Sequence, residues 1–279
     1  MFLKSFFLQL PCFHDTSKDM RLAVRRVFLT VGAVVSLLFF FSYLLSLVLS
    51  VWMIKDSQWK ENVYLWPILI AGLTSAFSVF GGFGFRRLFR RMSSLEIYFF
   101  LVFLISLSFD GLRILNWVFQ LKQITPYFGG LLTRIVYFGY FMGLFCMFAS
   151  SIYSGEVTYQ KVGTLLSVLG TLSLALSYSM PVDITSLQPI LLYRVGGEEY
   201  LLLVRGGLMV LTVLGFARSA FLSRSREAWA ICGATAILLV GREIVFFRSD
   251  TPLGLLGIFL LGIGSFYFSR KSYLKHLWI

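Results

Sequence analysis

Charge is scarce in this chain. Only 14% of its 279 residues are Asp, Glu, Lys or Arg, against about a quarter in an ordinary soluble domain. Histidine is rarer still. His14 and His276 stand near the two ends, so a histidine-based metal centre inside the apolar part of the chain has no ligands to draw on. The three cysteines, Cys12, Cys146 and Cys232, have no paired spacing, and the last two fall inside apolar runs. That pattern implies packed thiols, with no disulfide framework and no metal motif. GxSxG, HExxH and a phosphate-cradling Gly-Lys loop are all missing. No cofactor is expected, and the absences weigh against an enzyme.

Apolar residues are what the chain has instead, at 58% of the total. They gather into runs near the 20 residues that a helix needs to cross a bilayer. The runs are Val27 to Ile54, Val63 to Phe85, Glu96 to Leu121, Leu131 to Tyr153, Gly163 to Met180, Tyr200 to Leu222, Trp229 to Phe247 and Leu253 to Ser269. The expectation is an all-α polytopic transmembrane bundle of about eight spans. Residues 1–26 form a cytoplasmic segment that suits an interfacial helix, 27–269 the eight-helix membrane domain, and 270–279 a basic cytoplasmic tail. Nothing is left over for a soluble catalytic or signalling domain. No A-x-A-like cleavage site follows the apolar first residues, and Met20 is an alternative start.

The formal net charge is +12. In a membrane protein such an excess reflects topology, and no nucleic-acid partner is inferred. Sixteen basic residues fall on one set of joints, among them Arg25, Arg26, Arg86, Arg87, Arg90, Arg91, Arg224, Arg226, Arg270 and Lys271. Five fall on the opposite set: Lys55, Lys60, Lys122, Arg194 and Arg248. Positive charge stays inside during insertion, which predicts cytoplasmic N- and C-termini. Short joints and the missing cleavage site suit a bacterial inner membrane. The tryptophans, Trp52, Trp59, Trp66, Trp117, Trp229 and Trp278, stand at or near span ends, the headgroup level that amphipathic rings prefer.

The informative residues are the charges inside spans: Asp110, Arg113, Arg134, Arg205, Arg242 and Glu243. Each costs about 2.5–3.5 kcal/mol at a helix centre on the insertion scale, and less near the interface. They must pair, face the bundle interior or reach water. With the predicted topology all six share the outer half of the membrane. Ser106, Asp110, Arg113, Asn116 or Trp117, and Gln120 recur at helical steps and fall on one face. Asp110 and Arg113 are spaced to pair. Arg242 and Glu243 stand about 100° apart around a helix, so a partner on another helix is expected, with Arg113, Arg134 or Arg205 available to Glu243. The formal sum leaves two positive charges over. Arginine holds carboxylates and phosphates through a planar fork, so these six residues are the candidate ligand site.

Smaller signals accompany them. Gly139 and Gly143 form a GxxxG, which predicts close helix packing. Thr164, Ser167, Thr171 and Tyr178 carry hydroxyls along the fifth span, and these would join helices or line a cavity. Gly196-Gly197 allows either a surface hairpin over 189–204 or a helix starting near Glu198. The helix is favoured, because Glu198 and Glu199 suit a first helical turn.

Three functions follow from these observations. The first is binding, or transport, of an anionic or zwitterionic small molecule in an outward-facing charged cavity. The second is a receptor-like sensory module working through a cytoplasmic partner protein docked on the 86–91 and 218–226 loops. The third is a lipid-modifying enzyme using Asp110 or Glu243. In each, membrane lipids are partners.

Overall fold

The computed structural model describes residues 11–53, 64–88, 95–154 and 162–277. Two elements open the chain: α1 (Pro11–Met53) and α2 (Leu65–Leu88). The third span is compound, with α3 (Leu95–Ser106), a 3-10 segment (Leu107–Leu112) and α4 (Arg113–Leu121). Then come α5 (Pro126–Tyr153), α6 (Val162–Ser179), strands β1 (Val182–Leu187) and β2 (Tyr193–Val195), α7 (Glu198–Ser223), α8 (Arg226–Phe247) and α9 (Leu253–Leu277). Among the described residues eight helical stretches are long and apolar enough to cross a membrane. The fold is an all-α bundle of the multi-pass membrane type. Helix α1 continues without a break from the N-terminal segment into the first apolar run, and α9 continues past Ser269.

Local chemistry sets several helix ends. Thr125 precedes α5 with Pro126 at the first helical position, where its missing N–H costs nothing. The Ser225 side chain accepts from the Ala228 backbone N–H at 3.1 Å and caps α8. Gly197, at φ +74°, turns the chain into α7, a left-handed geometry that glycine adopts without strain. So α7 starts at Glu198, with Glu198 and Glu199 in its first turn.

The compound third span is the bundle's centre: 83% of its most apolar window is buried, against 17% for α7. Its 3-10 segment has a cause in hydroxyl chemistry. Ser106 and Ser108 donate to the carbonyls of Phe103 and Ile105, each at 2.7 Å. From α2, Ser78 donates to the Leu104 carbonyl at 2.7 Å. Side chains that occupy helical carbonyls loosen the regular i to i−4 ladder, and the helix tightens there into 3-10 geometry.

Glycine sets the closest contacts. A Cβ at Gly139 would lie 2.4 Å from the Phe109 side chain, and one at Gly143 would lie 2.5 Å from Ser106 Oγ. The GxxxG therefore seats α5 against the third span. Helices α8 and α9 approach almost backbone to backbone: a Cβ at Gly241 would lie 2.8 Å from Leu261 N and 2.9 Å from the Gly257 carbonyl.

One expectation about polar groups changes here. Ser167 and Thr171 are exposed and donate to the carbonyls of Gly163 and Ser167 in their own helix, and Thr164 is exposed beside them. Among the described residues none of these three bonds to another helix, whereas Tyr178 of the same set meets Arg134 of α5. The hairpin exists, but it precedes the glycine pair: β1 and β2 pair antiparallel with Val182 opposite Val195 and Asp183 opposite Arg194.

Candidate functional site

The third span places Asp110 in its 3-10 segment and Arg113 at the start of α4. Arg113 Nη2 meets Asp110 Oδ1 at 3.1 Å. Arg242 of α8 reaches the same carboxylate, with an ion pair to Oδ2 and a hydrogen bond from Nη2 to Oδ1 at 3.4 Å. One carboxylate thus serves two guanidiniums. The side chains of all three are 1–2% exposed. Arg113 Nη1 also donates to the Phe246 carbonyl at 3.0 Å, and its guanidinium lies 4.1 Å from the Phe246 ring centre. Ring faces attract cations, so Phe246 holds Arg113 twice. The Nε–H groups of Arg113 and Arg242 have no acceptor among the described residues.

One residue along α8, Glu243 belongs to a second group. Its Oε1 stands 3.0 Å from Arg205 Nη1 of α7, near in distance but off the hydrogen-bond direction. Tyr140 of α5 donates its hydroxyl to Glu243 Oε2. Arg205 lies 3.9 Å from the Phe247 ring centre, and its Nε–H has no acceptor among the described residues. This pair is partly open, at 18% and 25% exposure.

Arg134 is apart from both. Half-buried on α5, it lies 4.9 Å from the ring centre of Tyr178 on α6, and its Nε–H lacks an acceptor among the described residues. The six candidate residues therefore form a closed triad, an open pair and a single arginine. Of the partners open to Glu243, Arg205 is the one taken. Along the third span Ser106, Asp110, Arg113 and Asn116 are buried, while Gln120 is exposed.

The β-hairpin sits over one end of this arrangement. Asn116, one turn beyond Arg113 and fully buried, donates through Nδ2 to the Leu191 carbonyl at 3.0 Å and to Thr133 Oγ1 at 3.3 Å. The Tyr193 backbone N–H donates to the same Thr133 oxygen at 3.3 Å. Leu191 and Leu192 are fully buried, Leu191 at φ +61°. A bulky residue in left-handed geometry is held by its surroundings. On the strand, the Thr185 backbone N–H donates to Asp183 and holds its carboxyl below the usual carboxylate range.

Sequence reasoning missed Tyr140, which reads as one more aromatic inside the GxxxG segment. It also left out Glu96, treating Asp110 and Glu243 as the sole carboxylates within spans. Glu96 is 1% exposed at the start of α3 and accepts from Ser272 of α9 at 2.7 Å. The signal was its place at the edge of an apolar run, where a side chain can point either to water or inward.

Comparison with known proteins adds little. A stretch of 91 residues, 33% of this chain, is 30% identical to an uncharacterized protein of Treponema pallidum (strain Nichols), and the match spans 26% of that protein's length. No protein-family model and no solved structure matches the chain.

Proposed function

We propose that this multi-pass membrane protein binds an anionic or zwitterionic ligand at the charged layer formed by Asp110, Arg113, Arg134, Arg205, Arg242 and Glu243, as a carrier or as the membrane part of a larger assembly. The observation that supports this reading is the charge imbalance of the layer, four arginines against two carboxylates, with Arg205 at its open flank keeping Nε–H and Nη1 without an acceptor among the described residues. Asp110 alone neutralises two buried guanidiniums, and Arg134 adds a further cation whose described contact is an aromatic ring. Buried charge is tolerated when it is paired and hydrogen-bonded. An oxyanion would supply both, accepting from N–H groups that have no acceptor among the described residues. The positive-inside pattern supports an orientation with this layer toward the outer side, and the membrane we propose is a bacterial inner membrane.

The enzyme reading draws less support. Asp110 is committed as an acceptor to two arginines, and Glu243 accepts from Tyr140 while its charge faces Arg205, so a proton-transfer role would have to displace partners that both carboxylates already have. The receptor reading has one feature in its favour. A 3-10 stretch within a helix marks a place where helical register can change, and here it carries Asp110.

The test is ligand-dependent stabilisation of the purified protein. Phosphatidylglycerol or glycerol phosphate is expected to raise the melting temperature, whereas uncharged diacylglycerol is not. A ligand at 100 times its Kd adds about 2.7 kcal/mol to the folded state. A melting curve unmoved by either phosphate-bearing probe at saturating concentration would overturn the proposal.

A further inference from the structure

We infer that the ligand is lipid-borne: a phosphate headgroup that reaches Arg205 and Glu243 sideways from the bilayer, along α7 and α8. The inference rests on the anion-binding reading and names its ligand class and route.

Among the described residues the end-on route to Arg113 is covered. Any solute approaching Arg113 along the axis of the third span meets Asn116 first, and Asn116 is fully buried beneath the hairpin. Leu191 and Leu192 fill the space with apolar side chains that are themselves fully buried. Two hydrogen bonds to Thr133, one from Asn116 and one from the Tyr193 backbone, fasten the hairpin to α5. A hydrated anion would have to lift this seal.

The side is open. Arg205 and Glu243 are the members of the two ionic groups with appreciable exposure. Within about a turn their exposed neighbours are apolar, Leu202, Leu203 and Val204 on α7 and Val240 on α8, and the exposed Glu198 and Glu199 stand nearer the start of α7. Such a surface meets lipid tails, not water. Beside Arg205, Gly206 and Gly207 leave empty space where a side chain would stand. Arg205 lies about two turns into α7 and Glu243 about a turn from the end of α8, at the depth where headgroups give way to acyl chains.

The exchange chemistry is simple. A phosphate monoanion takes two parallel N–H bonds from the Arg205 guanidinium, including the Nε–H that has no acceptor among the described residues. Glu243 gives up its hold on Arg205 and keeps the Tyr140 hydroxyl, and its charge is then met by the positive surplus of the triad, whose Arg242 is the preceding residue of α8. Acyl chains then lie along the exposed leucines of α7. A soluble phosphate ester offers the same headgroup without the chains, so the two sources separate by experiment.

The test places the full chain in phosphatidylcholine nanodiscs holding a minority of phosphatidylglycerol. Retained lipid is read by native mass spectrometry after release, and glycerol phosphate binding is measured in parallel. Arg205→Gln removes the fork, Arg205→Lys keeps the charge without it, and a Gly130→Cys/Ile184→Cys disulfide locks the hairpin. A Cβ at position 130 would lie 2.9 Å from Ile184 Cγ2, within bridging reach. Phosphatidylglycerol should be retained selectively, fall about tenfold in Arg205→Gln, fall less in Arg205→Lys, and be unaffected by the locked hairpin. Retention unchanged in Arg205→Gln, with melting also unchanged, would mark the lipid as a bystander and overturn the inference. Glycerol phosphate binding that the locked hairpin blocks would overturn the route while leaving anion binding intact. If neither probe binds, the anion-binding reading itself is lost.

Discussion

Arg242 and Glu243 are neighbours on α8, yet they belong to different worlds. Arg242 shares Asp110 with Arg113 at 1–2% exposure, whereas Glu243 meets Arg205 with a fifth or so of each side chain open, at 25% and 18%. A helix turns about 100° per residue, and that single step carries the chain from the bundle's interior to its flank. The closed triad has more positive than negative charge and no exit; the open pair is balanced and reachable. The difference separates two jobs that charge performs in a membrane. A fully buried ion cluster fixes helix positions, since moving any member strands the others. A part-exposed pair at the headgroup level, where water reaches it, can trade one partner for another at a smaller cost.

Substitutions can break or sharpen this contrast. The largest effect is expected at Asp110→Asn, which leaves Arg113 and Arg242 facing each other without a counter-charge. Removing one partner of a buried ion pair costs about 3–5 kcal/mol, so reversible unfolding should register a loss of that size. Unchanged stability would mean that water or another group already screens the triad. An intermediate effect is expected at Asn116→Ala. The Leu191 carbonyl loses its donor, at about 1–3 kcal/mol for a buried polar group. The hairpin should loosen first, visible as faster amide exchange at Tyr193, with the triad undisturbed. The smallest effect on folding is expected at Arg205→Gln, below about 1 kcal/mol if water at the headgroup level screens the pair. If Arg205→Gln unfolded the protein as readily as Asp110→Asn, the distinction between closed and open groups would collapse.

Much of the bundle was legible because bilayer physics writes itself into sequence. Runs of apolar residues near span length gave eight helices, and the glycine pair followed by Glu198 and Glu199 gave the start of α7. Three features were hidden, each for a physical reason. The hairpin at 182–195 is short and lacks a strong turn dipeptide; its tip is secured by Asn116 and Thr133 from distant helices. The 3-10 segment arises in part from Ser78 on another helix taking the Leu104 carbonyl. Glu96 stands at a span edge, and whether such a side chain turns to water or inward depends on what packs beside it, here Ser272 of α9.

By itself the sequence determined composition, periodicity and the cost of placing six ionisable groups among apolar residues, because those properties are local to each segment. It therefore required that Asp110, Arg113, Arg134, Arg205, Arg242 and Glu243 find partners. Which partners they found was decided only in three dimensions. Pairing across helices depends on how α5 and α8 stand to the third span and α7 to α5 and α8; the Gly139 contact on Phe109 sets α5 against the third span, and the Gly241 contact on Leu261 sets α8 against α9. The division into a sealed triad and an open pair is a property of that packing.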